Sequence, residues 1–221
     1  MNRSIKGLLI KDLNLMKGQK TFFIVIILAC VLLFPAYSGS FFTVGYVTII
    51  CAFFTLSTLS YDEYENGASY LFTLPITRRD YAREKYLFGF LMSTVPCIFA
   101  TAASYLVTAV KGTETDIVSV LAGSVGTLLA AYLLLALEIP LQLKFGQAKS
   151  RMMVFVSAGG IACMILLLGY LKDITGIEDL VLIRFLSFGK GAAAIIGAAV
   201  FVILMWISYQ ISCRIVEKKE F

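Results

Sequence analysis

The chain has 221 residues, of which 59% are hydrophobic and 15% charged, with a formal net charge of +5. That balance excludes a water-soluble fold and leaves no stretch long enough for a separate soluble domain, so residues 1–221 read as one integral membrane domain. The positive balance does not point to nucleic acid, because the lysines and arginines flank apolar runs instead of forming one basic stripe.

Residues 1–20 predict an amphipathic helix. At about a hundred degrees per residue, Ile5, Leu8, Leu9, Leu13, Leu15 and Met16 share one side, and Arg3, Lys6, Lys11, Asn14 and Lys17 take the other. Such a helix lies in the membrane interface. Asp12 falls inside the apolar arc, where an unpaired carboxylate is costly. Either it meets a basic partner, with the later polar segment 61–86 as one source, or the helix is rotated from the ideal.

Six spans follow, at 21–37, 41–60, 87–110, 117–139, 152–171 and 191–213. The first is near the minimum for a hydrocarbon layer of roughly 30 Å. Its rival is a signal peptide, since Ala36-Tyr37-Ser38 resembles a cleavage site, but a basic region as long as a whole amphipathic helix favours the span. The second span carries small or hydroxylated residues at Gly45, Thr48, Cys51, Thr55 and Thr58, spaced to share one face. Helix packing is the plainer account of this seam. Thr48, Cys51, Phe54, Thr55 and Thr58 are also the candidate wall of a path, mixing hydroxyls with aromatic surface and no fixed charge. Pro96 is the one place where the third span is expected to bend. Residues 172–190 are too short and too polar to cross, and read as an interfacial or re-entrant helix on the outer side.

Between the second and third spans lies the long polar segment 61–86, with five acidic and four basic residues. Its middle is aromatic and aliphatic: Tyr64, Tyr70, Leu71, Phe72, Leu74 and Pro75. Water alone does not favour that run, so it reads as a docking surface. A short helix is expected around 66–74, then a turn at Pro75. Thr77 and Asp80 predict the start of a second helix that continues into the third span. Another polar loop is expected over 141–151.

Lysine and arginine counts orient the chain. The N-terminal arm, both polar loops and the tail carry fifteen, against four on the other connections, so both termini and segment 61–86 are expected in the cytoplasm. The chain contains no histidine and no G-x-x-x-x-G-K-[ST] loop. Histidine-dependent hydrolysis and nucleotide binding of that kind are therefore excluded. No catalytic, metal or cofactor residues are expected. Glu138, the only acid inside a predicted span, reads as a helix-end carboxylate. The cysteines at 30, 51, 97, 163 and 213 all sit in or at the end of apolar runs without paired spacing, and read as small apolar residues.

The Lys11-Asp12 step in an amphipathic arm, six spans, the loop DEYENGASYLFTLPITRRDYAREKY and the later PLQLKFGQAKSR together resemble the small membrane subunits of ABC-2 type exporters. The resemblance covers essentially the whole chain, and it is closest to the Gram-positive permeases that include the exporter of phenol-soluble modulins. It implies an all-α, type V exporter-like permease in a bacterial plasma membrane. It also implies a homodimer, two copies of a cytoplasmic ATPase that carry the ATP and Mg²⁺, and export of amphipathic peptides. Segment 61–86 then becomes the coupling loop, with Glu65, Asn66, Ser69, Tyr70, Leu71, Leu74, Pro75, Arg78 and Arg79 as expected ATPase contacts. The alternatives are a permease for lantibiotic immunity or multidrug efflux, and a peptide-binding or pore-forming membrane protein that does not pump.

Overall fold

A computed structural model describes residues 3–36, 41–64, 67–111, 117–118, 120–146 and 190–219. Among these residues every regular element is helical: α1 (Arg3–Gly18), α2 (Lys20–Ala36), α3 (Phe41–Glu63), α4 (Gly67–Leu71), α5 (Arg78–Lys111), α6 (Val120–Gly146) and α7 (Lys190–Lys218). Four of them, α3, α5, α6 and α7, are long and apolar enough to cross a membrane, and α1 with α2 forms a fifth candidate broken by a 69° bend. The expected span over 152–171 and the helix over 172–190 lie outside the described residues.

The helices overrun the spans expected from hydropathy, always toward the polar end. α3 continues to Glu63, α5 begins at Arg78, and α7 reaches Lys218. α6 runs through Pro140 to Gly146, whose φ of +72° suits glycine at a helix close, so residues 141–146 of the expected polar loop are helical, and 147–151 lie outside the described residues. Glu138 is therefore not at a helix end: it is buried within α6, two turns before its close. Hydropathy marks where lipid stops, whereas backbone hydrogen bonding continues until a cap intervenes. The 34 residues of α5 extend about 51 Å, well beyond a hydrocarbon layer of roughly 30 Å.

α5 is the axis of the bundle and packs on α1, α2, α3 and α7. Its contact with α3 is the most extensive. Gly89 lets α6 approach α5 closely, since a Cβ there would lie 3.0 Å from Leu135 Cδ1 of α6, while Thr55 Cγ2 of α3 would stand at an ordinary 3.5 Å. One core cluster joins Phe54 of α3 and Phe88 of α5 to Phe22 and Phe23 of α2, with ring centroids 5.5–6.3 Å apart. A second cluster gathers Leu8, Leu59, Leu71, Tyr86, Ile139 and Val216, so that five helices and the short α4 meet near the polar end. Polar side chains finish these seams: the Gln142 amide donates to Leu56 O at 2.7 Å, and Tyr86 Oη lies 2.9 Å from Ser212 Oγ. Cys30, Cys51, Cys97 and Cys213 are free thiols.

Candidate functional site

The structure brings three distant parts of the chain to one end: α1, segment 61–86 and residues 215–219. The ends of α3 and α5 rise together, and the loop between them folds as a bracket. α4 holds only five residues, less than the helix expected over 66–74. It gives way to tighter turns, with Thr73 N donating to Tyr70 O and Leu74 N to Leu71 O. Pro75 ends these turns, since the residue before proline, Leu74, is driven out of the α region. Thr77 Oγ1 then accepts from Asp80 N at 3.1 Å and starts α5 as an N-cap.

The bracket turns some side chains outward and anchors itself with others. Tyr70 is 74% exposed, Tyr64 63% and Leu74 44%, with Pro75 and Arg79 also exposed. These large apolar groups lie on a segment too polar for lipid. Leu71 faces the opposite way into the core, and Phe72 packs edge-on to Tyr81 with centroids 5.6 Å apart, beneath the Arg78 guanidinium. Ser69 and Arg78 are half-buried. Glu65 and Asn66 lie outside the described residues.

Both feet of the bracket are tied to the end of α7. On one side, Arg78 donates to Val216 O at 3.2 Å and Glu217 O at 2.5 Å, filling carbonyls that the helix end leaves open. Arg79 Nε pairs with Glu217 Oε1 at 2.7 Å, and Arg83 Nε donates to Tyr209 Oη at 2.9 Å. On the other side, Lys219 Nζ reaches Glu63 Oε1 at 2.6 Å and Leu143 O at 3.1 Å. None of these partners is near in sequence, and no periodicity signals them.

Beneath the bracket is a buried ion cluster. Lys85 has no exposed surface; its ammonium lies 2.5 Å from Asp12 Oδ2, 2.8 Å from Asp62 Oδ2 and 3.2 Å from Thr58 Oγ1. Lys11 bonds Asp62 and stands 3.2 Å from Asp12 Oδ1, while Tyr81 Oη donates to Asp62 Oδ2 at 3.1 Å. Asp12 thus has a basic partner, and that partner comes from the end of segment 61–86. The pairing pins α1 onto α3 and α5. Glu84 is also fully buried, 3.7 Å from Lys85, with no hydrogen-bond donor on either oxygen. Reading 61–86 as a solvated segment concealed both residues. The signal was available as an acid stranded on an apolar helix face.

The α3 seam is closed within the chain. Thr48, Cys51, Phe54, Thr55 and Thr58 are all buried, and the hydroxyls of Thr48 and Thr58 donate to Val44 O and Thr55 O. The seam packs α3 on α5. To line a path, it would need those two helices to part.

Among the described residues no group of three or more His, Cys, Asp or Glu side chains is placed to hold a metal ion. The arrangement is mechanical: an exposed apolar bracket, clasped at both feet, above a pinned surface helix. No curated protein and no solved structure matches the chain. A family model does match, over residues 7–217, and its description is ABC-2 family transporter protein. That match takes in most of α1, the helices from α2 to α6 and α7 as far as Glu217, and the chain accordingly belongs to the ABC-2 transporter family, as a multi-pass permease.

Proposed function

We propose that this permease is the membrane half of an ATP-driven exporter and that the bracket is where its ATPase subunit docks. The observation that carries the reading is the exposure of Tyr64, Tyr70 and Leu74 on a polar loop whose feet are both clasped to α7. Exposed aromatics on a held backbone suit a partner's groove, because little conformational entropy is lost on docking. Pro75 and Arg79 border the same surface, and Glu65, Asn66, Ser69 and Arg78 complete the proposed contact. The fifteen-to-four basic asymmetry supports a cytoplasmic position for this end, and the reading sets the permease in a bacterial plasma membrane with the ATPase, its ATP and Mg²⁺ on that side.

The full assembly in this reading is two permease copies and two ATPase copies. The cargo is an amphipathic peptide, favoured by an α3 seam of hydroxyls and aromatics that becomes accessible when α3 and α5 separate, with the Lys85 ammonium only at its polar end beside Thr58. Charged rings or ordered carbonyls, as a path for small ions needs, are not part of that seam.

The test is co-purification of the permease with the ABC-type ATPase encoded beside it. Tyr70→Ala or Leu74→Asp should leave membrane insertion intact and reduce recovery of the ATPase about thirtyfold, as loss of one interface anchor does. Unchanged recovery in both variants would refute the docking site. In vesicles holding both subunits, an amphipathic helical peptide should raise ATP turnover. Stimulation by a compact hydrophilic solute alone would refute the cargo while leaving the docking surface standing.

A further inference from the structure

α1 presents a second surface, separate from the bracket. Beyond its first turn, the exposed side chains of α2 over 22–30 are apolar, Ile24, Val25, Ile27 and Leu28, which places that part of the helix against acyl chains. The 69° bend then turns α1 toward the plane of the membrane surface. Its inward arc holds Ile5, Leu8 and Asp12, all buried. Outward, Lys6 and Lys17 are exposed and share a face with Ile10, and exposed Lys20 follows at the start of α2. Eleven residues separate Lys6 from Lys17, about 16 Å along the helix and about 20° around it, so the two cations stand on one line.

Beside that line runs a groove floored by Gly7, Asn14 and Gly18 and walled by Leu15 and Tyr61. A Cβ at Gly7 or Gly18 would meet nothing within 4 Å, so packing inside the chain does not demand glycine at either position. The acids that could compensate these lysines are otherwise engaged. Asp12 is buried on Lys85, Asp62 holds Lys85 and Lys11, and Glu63 holds Lys219. Among the described residues, no acid offsets the positive charge on the outward surface of α1, which stands at the depth of the headgroups next to an open groove.

We infer that this face is a binding site for anionic phospholipid of the adjoining leaflet, with headgroup phosphates on Lys6, Lys17 and Lys20 and one headgroup seated over Gly7, another over Gly18. The charge complementarity selects an anionic lipid over a zwitterionic one, and the lipid-facing α2 supplies the surface on which its chains continue. The inference is independent of what the permease transports.

The test uses the purified full-length permease in neutral detergent, titrated with short-chain phosphatidylglycerol or phosphatidylcholine while its thermal unfolding midpoint is followed. Phosphatidylglycerol should raise the midpoint at concentrations at least tenfold below those needed with phosphatidylcholine. The triple substitution Lys6→Gln, Lys17→Gln and Lys20→Gln should abolish the difference, each lysine accounting for roughly fivefold. Gly7→Leu, which fills the groove at constant charge, should weaken the phosphatidylglycerol effect. Lys218→Gln, an exposed lysine at the far end of α7, should leave it intact. Equal effects of the two lipids would overturn the inference, as would selectivity that survives the triple substitution. Equal protection by inorganic phosphate would also overturn it, because the site would then read a free anion.

Discussion

Replacing Lys85 by methionine tests whether the buried cluster holds α1 in place. Methionine keeps most of the side-chain volume and removes the ammonium, which leaves Asp12 and Asp62 buried without their common partner. Breaking a buried pair from one side costs about 3–5 kcal/mol, because the remaining charge is uncompensated. The lower end applies here: Asp62 keeps Lys11 and the Tyr81 hydroxyl, and Asp12 keeps Lys11 at 3.2 Å. A loss of about 3 kcal/mol in a chain of this size lowers the unfolding midpoint by roughly 6–12 °C. The assay is a thermal scan of the purified permease, combined with a cycle that includes Asp12→Asn. The double variant should lose less than the sum of the single losses, by about 1.5 kcal/mol or more, since the second change removes the charge that the first strands. A midpoint within 2 °C of wild type for Lys85→Met, or strict additivity in the cycle, would refute the account of α1 as pinned by charge.

Glu84 should behave in the opposite sense. Glu84→Met removes a buried carboxylate that has no hydrogen bond and leaves two acids against two amines, so the midpoint should rise in the same scan. Gly89→Val should lower it by roughly 2–4 °C per kcal/mol of overpacking, about 1–3 kcal/mol, since even a Cβ lies 3.0 Å from Leu135 Cδ1. At the clasp, Arg78→Ala should lower it by roughly 2–4 °C through loss of charge-assisted bonds to two carbonyls, whereas Arg79→Ala, whose side chain is mostly exposed, should leave it unchanged. Single cysteines at Ser69 and Thr113, in a background without the native five, should label from opposite sides of intact cells; labelling from one side would refute the assigned topology.

What could be read from sequence follows the range of each signal. α1 was legible because amphipathic spacing is local, and the Thr77 cap because its partner Asp80 is three residues away. Apolar run length located α3, α5, α6 and α7 but not their polar ends, where Glu63, Gly146 and Lys218 lie beyond the point at which hydropathy changes. Segment 61–86 showed as a chemical contradiction, with aromatics amid charges, and Tyr64, Tyr70 and Leu74 are exposed. Leu71 was indistinguishable from them, since alternating burial on five helical residues has too few repeats to read. Lys85 and Glu84 looked like solvated charges because the helix that covers them precedes them by more than 60 residues. The α7 clasp was invisible for the same reason, joining the bracket to residues 126 or more positions away.

That separation also sets an order of assembly. Segment 61–86 is synthesised early, but Arg78, Arg79 and Glu63 find their α7 partners only when residues 216–219 have been made. At about 5–20 residues per second, some 7–28 s of elongation separate the two events. Throughout that interval the bracket lacks the footings that residues 216–219 supply, and it takes its clasped form only after α7 has packed against it.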